Sequence, residues 1–319
     1  MPKNADYSVP SAPSKLPAGE QQLLRFLSAL AAPTLRLSGF KETLQAVKGE
    51  LYNKEYEAAF GTAERREAYA ARWVPSRAVI YRRILRESEE MRRVLGKGEG
   101  VKVLLLGGGA GSELIAVGAV LSGMLPAAAA AAVEEGAGGE PAEARQRVEV
   151  QVLDSSDWAH VIDRQQTELV KAYPNLAPHL AVSFTCGNIL ALPTATVAAL
   201  PSLDLITLMF TVTELVLQSR AQTLAFFSTL SACKAGTLLL IVESVSLAVI
   251  PVGSGGRTYP LATLLDHALT SDKSREDRAK WEEVQGVDER WYRMAGGADK
   301  EYPLKLEGSR VVLRLYRRV

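Results

Sequence analysis

Apolar residues in the first hundred positions recur at helical spacing. Between Gln21 and Val47 they fall at Leu23, Leu24, Leu27 and Leu30, then at Leu35, Leu37, Phe40, Leu44 and Val47. Pro33, which lacks an N–H, reads as the break between two helices. A third helix over Lys48–Phe60 gathers Leu51, Tyr52, Tyr56 and Phe60. A fourth, Glu64–Trp73, ends before Pro75, and Ser76 reads as the N-cap of a fifth that runs to about Leu95. The apolar stripe of that helix is Val79, Ile80, Ile84, Leu85, Met91 and Leu95, and its other face carries Arg82, Arg83, Arg86, Arg92 and Arg93. Residues 1–19 are polar and rich in proline and serine, and read as a disordered tail. Residues 20–97 therefore read as an all-helical region.

The texture changes at Val101. Val101–Leu106 is a short apolar run that opens directly into glycine, the pattern of a strand buried on both faces. Further strands are expected at Val148–Leu153, Ala181–Thr185, Asp204–Phe210 and Thr237–Val242, with helices at Glu113–Leu121, Asp163–Tyr173 and Arg220–Lys234 between them. A closing antiparallel pair is expected near Trp291–Met294 and Val311–Tyr316. This alternation predicts a Rossmann-like α/β fold over 98–319, a mostly parallel seven-stranded sheet with an antiparallel C-terminal strand. Two segments read as insertions. Residues 126–147 are alanine- and glycine-rich low complexity, and 252–286 read as an insertion or lid with a charged helix over Asp272–Glu283.

Composition narrows the chemistry. A net charge of +1 excludes a polyelectrolyte binder, so any nucleic-acid contact needs a local basic patch. Two cysteines, Cys186 and Cys233, read as free thiols, and with three scattered histidines they give no zinc spacing, so no metal site is expected. The N-terminus lacks a signal-peptide core, and no apolar stretch is long enough to span a bilayer. The chain reads as intracellular, monomeric and without a membrane partner.

The run Leu104–Glu113 carries glycines at 107, 108, 109 and 111. Glycines there let the backbone turn sharply after a strand and let a ligand approach closely. A dinucleotide loop wants G-x-G-x-x-G, but the sixth position counted from Gly107 is Ser112. The spacing G-x-G-x-G matches S-adenosylmethionine (SAM) sites better. Asp154 ends the next strand, where an acid is expected for the ribose hydroxyls. It is followed by Ser155, and a helix-capping role remains open for it. Asn188 and Ile189, after the third strand, fit an adenine site, although Gly-Asn is also a common turn. Phe210, Thr211, Thr213 and Glu214, at the end of the fourth strand, sit where a methyl group would be presented. Glu214 is equally readable as a first-turn helix acid.

The segment Tyr69-Ala-Ala-Arg72-Trp73-Val-Pro75-Ser76-Arg77-Ala78, the glycine loop through Glu113 and the strand Leu208–Glu214 together resemble the fungal 25S ribosomal RNA uridine-N3 methyltransferases, within the class I SAM-dependent methyltransferases. The resemblance implies SAM as cofactor and ribosomal RNA or the pre-ribosome as partner. It also implies nuclear or nucleolar action and methyl transfer to N3 of a uridine. Glu214 is then the candidate base, with Thr211 and Thr213 beside it. Arg72, Arg77 and Arg82 would grip phosphates and Trp73 would stack on a base, unless this is a solvated basic face with Trp73 in the core. One position departs from the pattern. Many methyltransferases place an acid two residues before the first glycine to meet the methionine amino group, and here that residue is Leu105. Glu113, or a polar group between Tyr69 and Arg77, is the candidate replacement. A small-molecule or protein methyltransferase and a non-catalytic RNA-binding assembly factor are the alternative functions, with a nicotinamide oxidoreductase further off.

Overall fold

The apolar run Val101–Leu106 buries both its faces and forms an interior strand, third of seven, in the main sheet. The structure, a computed structural model, describes residues 15–97, 100–125, 148–252, 257–270 and 281–319. Helices α1 (Ala18–Leu35), α2 (Phe40–Tyr52), α3 (Tyr56–Phe60), α4 (Ala63–Glu87) and α5 (Glu89–Leu95) precede β1 (Val101–Leu106). Then come α6 (Ser112–Ser122), β2 (Val148–Asp154), α7 (Ala159–Ala172), β3 (Leu180–Cys186), α8 (Thr194–Ala199) and β4 (Leu205–Met209). They are followed by α9 (Val212–Gln218), α10 (Arg220–Thr229) and β5 (Leu238–Ser244). A hairpin of β6 (Val249–Val252) and β7 (Arg257–Pro260), then α11 (Leu261–Leu269), β8 (Trp281–Tyr292) and β9 (Ser309–Arg318), complete the chain.

The sheet order is β3-β2-β1-β4-β5-β9-β8, with every pairing from β3 to β5 parallel and β9 antiparallel to both its neighbours. The order reverses between β1 and β4, so the carboxyl ends of these strands open a crevice there. Alternation along β1 divides the core. Val103 and Leu105 join a cluster with α4, α6 and α1. Leu104 and Leu106 face the opposite cluster, which holds Phe226, Phe227 and Leu265. The helical N-terminal region thus covers one face of the sheet and shares its core.

Several expected boundaries moved. Pro33 does not split a helix. It lies in the last turns of α1, and the break falls at Ser38–Gly39. The expected helix Lys48–Phe60 is interrupted at Asn53–Glu55, where Lys54 adopts φ +62°. Pro75 lies inside α4, and Ser76 is not an N-cap but a buried residue whose hydroxyl accepts from the Glu307 amide at 2.9 Å. The helix survives because its missing bond is replaced. Pro75 cannot donate to the Ala71 carbonyl, and the Tyr302 hydroxyl donates to that oxygen instead. The chain breaks helix only at Ser88, whose hydroxyl caps the Met91 amide. At the far end lies the span 252–286, read as an insertion or lid. It contains β7, α11 and the start of β8, and Trp281–Glu283, expected as helix, are strand. The remainder of the expected charged helix, the low-complexity segment and most of the N-terminal tail lie outside the described residues.

Candidate active site

The carboxyl ends of β1, β2 and β4 surround a cleft of about 960 Å³, counting the solvent at its mouth. Gly107 and Gly111 take φ +73° and +79° to turn the chain from β1 into α6. The space their side chains would fill is occupied by the protein itself. A Cβ on Gly107 would lie 2.5 Å from Thr211 Oγ1, one on Gly109 2.2 Å from Trp158, and one on Gly111 1.6 Å from Gln165 Oε1. A Cβ at any of these three positions would collide with those side chains, and Gly107 and Gly111 also line the cleft.

Asp154 ends β2 on the wall of the cleft, beside Ser155. Its Oδ2 accepts from the Gly109 amide at 3.0 Å. Its Oδ1 accepts from the Ser156 amide at 3.0 Å and from Trp158 Nε1 at 3.3 Å. Burial raises its proton affinity, and these donors oppose the shift. Asp154 therefore caps its own turn and also faces the cleft. Ile189 is buried and lines the cleft, whereas Asn188 lines an adjoining cavity that shares Tyr56, Ser155 and Leu215 with it. The Asn188 Oδ1 is taken by the Leu190 amide at 2.9 Å, the turn role weighed for it.

After β4, Phe210 adopts φ +61°, a strained conformation for a bulky residue. Its ring lies 5.5 Å from the Arg77 guanidinium and 6.0 Å from the Tyr81 ring. Thr211 is buried beneath Gly107, with Oγ1 donating to the Met209 carbonyl at 3.3 Å. Thr213 does not line the cleft. Its amide donates to Glu243 Oε1 at 3.1 Å. Glu214 does line it, and it stands in the first turn of α9, so both readings of that residue describe its position. Burial raises its proton affinity, and a hydrogen bond from the Tyr56 hydroxyl partly opposes this. Tyr56 is pushed up to about 12 by burial and by the same carboxylate. Glu113 is held at about 8 and Glu243 at about 7, both chiefly by burial. Glu243, inside β5, was not anticipated, because a lone acid in an apolar strand gives no periodic signal.

One wall was anticipated only in part, through Tyr69 and Arg77. Leu51, Tyr56, Phe60, Tyr69, Arg77 and Tyr81, all from the N-terminal helices, line the cleft. Phe60, Tyr69 and Trp158 form a contiguous aromatic group, with ring centroids 4.9–5.7 Å apart. The residues expected to grip RNA turn inward. Arg72 pairs with Glu307 at 2.7 Å and lies over Trp73, which packs partly buried on Tyr69. Arg77 is bonded to the Tyr69 hydroxyl at 2.5 Å inside the cleft, and Arg82 is only 9% exposed, leaving it no surface to offer a phosphate. Their neighbour Arg83 makes a bidentate pair with buried Glu20 at 2.6 and 2.7 Å. Among the described residues there is no cluster of metal-ligating side chains and no helix long and apolar enough to cross a membrane.

The sequence model of a family described as "Putative SAM-dependent methyltransferase" matches residues 26–317. The chain belongs to this family of SAM-dependent methyltransferases. A Saccharomyces cerevisiae protein, the 25S rRNA (uridine(2843)-N(3))-methyltransferase, is 31% identical over 291 residues, which cover 88% of this chain and 78% of the yeast protein. Among solved structures, a SAM-dependent methyltransferase from Aquifex aeolicus is 13% identical with a TM-score of 0.36, covering 75% of this chain and 98% of its own. One from Methanosarcina mazei is 12% identical with a TM-score of 0.40, covering 73% and 98%. Likenesses at that level add nothing to what the strand order shows.

The cleft of this methyltransferase fits its cofactor. Asp154 brings a carboxylate to the end of β2, Ile189 and Met209 supply apolar walls, and Glu113 Oε2 is buried without a hydrogen-bond partner among the described residues. Bound SAM supplies an electrophilic methyl group on a sulfonium. The family assignment retires the nicotinamide reading and the non-catalytic one.

Proposed function

We propose that this enzyme transfers the methyl group of SAM to N3 of a uridine in large-subunit ribosomal RNA. The observation that carries the reading is the 31% identity, over 88% of the chain, to the yeast 25S rRNA uridine-N3 methyltransferase. The geometry supports it. A uridine N3 must lose a proton as it attacks, so the site needs a proton acceptor within reach of the methyl group. Glu214 stands at the end of β4 with its proton affinity raised and Tyr56 bonded to it, and we assign it that task. Asp154 is assigned to the ribose hydroxyls, Ile189 and Asn188 to the adenine side, and Phe210 to the wall beside the transferred methyl.

RNA contacts are assigned away from the inward-turned arginines of α4. At the ligand edge of the sheet, where β8 ends, Trp291 is 40% exposed, with the guanidinium groups of Arg293 and Arg310 at 4.2 and 6.0 Å from its ring. Arg310 also pairs with Glu289. An exposed ring between cations suits an unpaired base and its phosphates. On this reading the enzyme works as a single chain in the nucleus or nucleolus, on rRNA or the pre-ribosome.

The test is to map base methylation in rRNA from cells lacking the protein and to restore it with purified enzyme and SAM. One uridine should lose and regain its N3 methyl group. Glu214→Gln should bind SAM normally but restore methylation slowly. Unaltered rRNA in the deficient cells would refute the substrate.

A further inference from the structure

β1 brings no charge to the inner end of the cleft, because Leu105 stands where an acid is expected. The structure brings a carboxylate to the same place from the next helix. Glu113, in the first turn of α6 and 3% exposed, reaches back toward β1. A Cβ built on Gly108 would lie 2.7 Å from Glu113 Oε2 and 3.1 Å from Leu105 Cβ, so the carboxylate and Leu105 are neighbours. Thr207, the register partner of Leu105 on β4, donates to Glu113 Oε1 at 3.1 Å, which fixes the carboxylate from the other side. That leaves Oε2 buried, lining the cleft, and unpartnered among the described residues. A buried carboxyl oxygen without a hydrogen-bond partner is costly, so the arrangement is complete only when a donor or cation enters.

Arg77 lines the same cleft from α4. The Tyr69 hydroxyl accepts from its Nη1 and the Phe210 ring lies beside it, but among the described residues no carboxylate stands within ion-pair distance. A guanidinium has five N–H donors, so most of its capacity is unused. Glu113 and Arg77 sense each other's charge without a direct bond. The cleft thus holds one carboxyl and one cation, neither with an ion-pair mate among the described residues. An α-amino acid carries the complementary pair, an ammonium and a carboxylate.

We propose that Glu113 and Arg77 hold the methionyl end of SAM, with Glu113 accepting from its ammonium and Arg77 donating to its carboxylate. The proposal rests on SAM being the cofactor, and it explains how this chain dispenses with an acid at position 105.

Calorimetric titration with two probes tests it. S-adenosylhomocysteine keeps the amino-acid end, whereas 5′-methylthioadenosine keeps the nucleoside and thioether but lacks it. Glu113→Gln and Arg77→Gln should each weaken S-adenosylhomocysteine by on the order of 10- to 100-fold, and leave methylthioadenosine within about twofold of the unaltered enzyme. The methylthioadenosine titration also shows that the cleft is still folded. Unchanged S-adenosylhomocysteine affinity would overturn the proposal. So would equal loss of both probes, because the two residues would then shape the whole cleft rather than one end of it. Failure of the unaltered enzyme to bind either probe would overturn the cofactor assignment, and this proposal with it.

Discussion

Helix α4 passes through Pro75 because a hydroxyl from a distant loop stands in for an amide, and this exchange can be measured. Tyr302→Phe keeps the ring but removes the donor to the Ala71 carbonyl. Ala71 is 5% exposed and Tyr302 2%, so water cannot readily replace the lost bond. Leaving that acceptor unsatisfied should cost about 1–3 kcal/mol. Unfolding entropy of about 2.1 cal/mol/K per residue over 319 residues converts this to a Tm roughly 2–4 °C lower. The diagnostic step is the second background. Pro75→Ala restores an N–H that can reach Ala71, so Tyr302→Phe should cost much less when introduced into Pro75→Ala. The assay is thermal or urea unfolding of the four proteins, followed by far-UV circular dichroism. Equal cost of Tyr302→Phe in both backgrounds would refute the reasoning, since the hydroxyl would then be stabilising something other than the helix at Pro75.

Three further outcomes are expected. Asp154→Ala should weaken SAM binding by roughly 1–3 kcal/mol in calorimetry if the carboxylate meets the ribose, and undiminished affinity would leave it only its capping role. Glu113 and Glu243 hold their protons to about 8 and about 7, against an ordinary 4.5. Carboxyls raised by folding stabilise the fold fully below their unfolded value, and that contribution is lost as pH rises through 7 and 8. The denaturation midpoint of the ligand-free enzyme should therefore fall between about pH 5 and 8.5, and Glu113→Gln should flatten the slope. Gly111→Ala, where a Cβ meets Gln165 at 1.6 Å, should abolish stable folding or SAM binding. Gly236→Ala, with φ +88° but open space around it, should cost only about 1 kcal/mol, as read from Tm. Similar losses in the two variants would show that packing beneath the loop is unimportant.

What the sequence made legible was local. Val101–Leu106 could be read as a central strand because both its faces are apolar, and Gly107–Gly111 announced a sharp turn after it. Asp154 and Glu214 could be placed at strand ends by counting. What it hid was set by partners far along the chain. Pro75 looks like a helix end until Tyr302 is brought to it. The arginines of α4 look like a solvated basic face until Glu20 and Glu307 fold against them. Trp281–Tyr292 is dense in charge because β8 is an edge strand with many exposed side chains, so it imitates a charged helix at its start. Most of the aromatic wall of the cleft carried no motif: Tyr56 and Phe60 sit on a helix whose spacing alone suggests ordinary core, and Tyr69 was legible only as the start of the segment through Ala78.

The placement of α4, which lines the cleft and packs on α6, also bears on how the protein is born. The ribosome delivers residues 15–97 before any strand of the sheet, and the buried face of α4, with Val74, Ala78, Ile80 and Ile84, finds α6 and β1 only afterwards. During synthesis that face has no cover, which makes the nascent helical segment a natural client for chaperones. The cofactor cleft then closes late, once β4 has emerged and carried Phe210 and Glu214 up to helices made more than a hundred residues earlier.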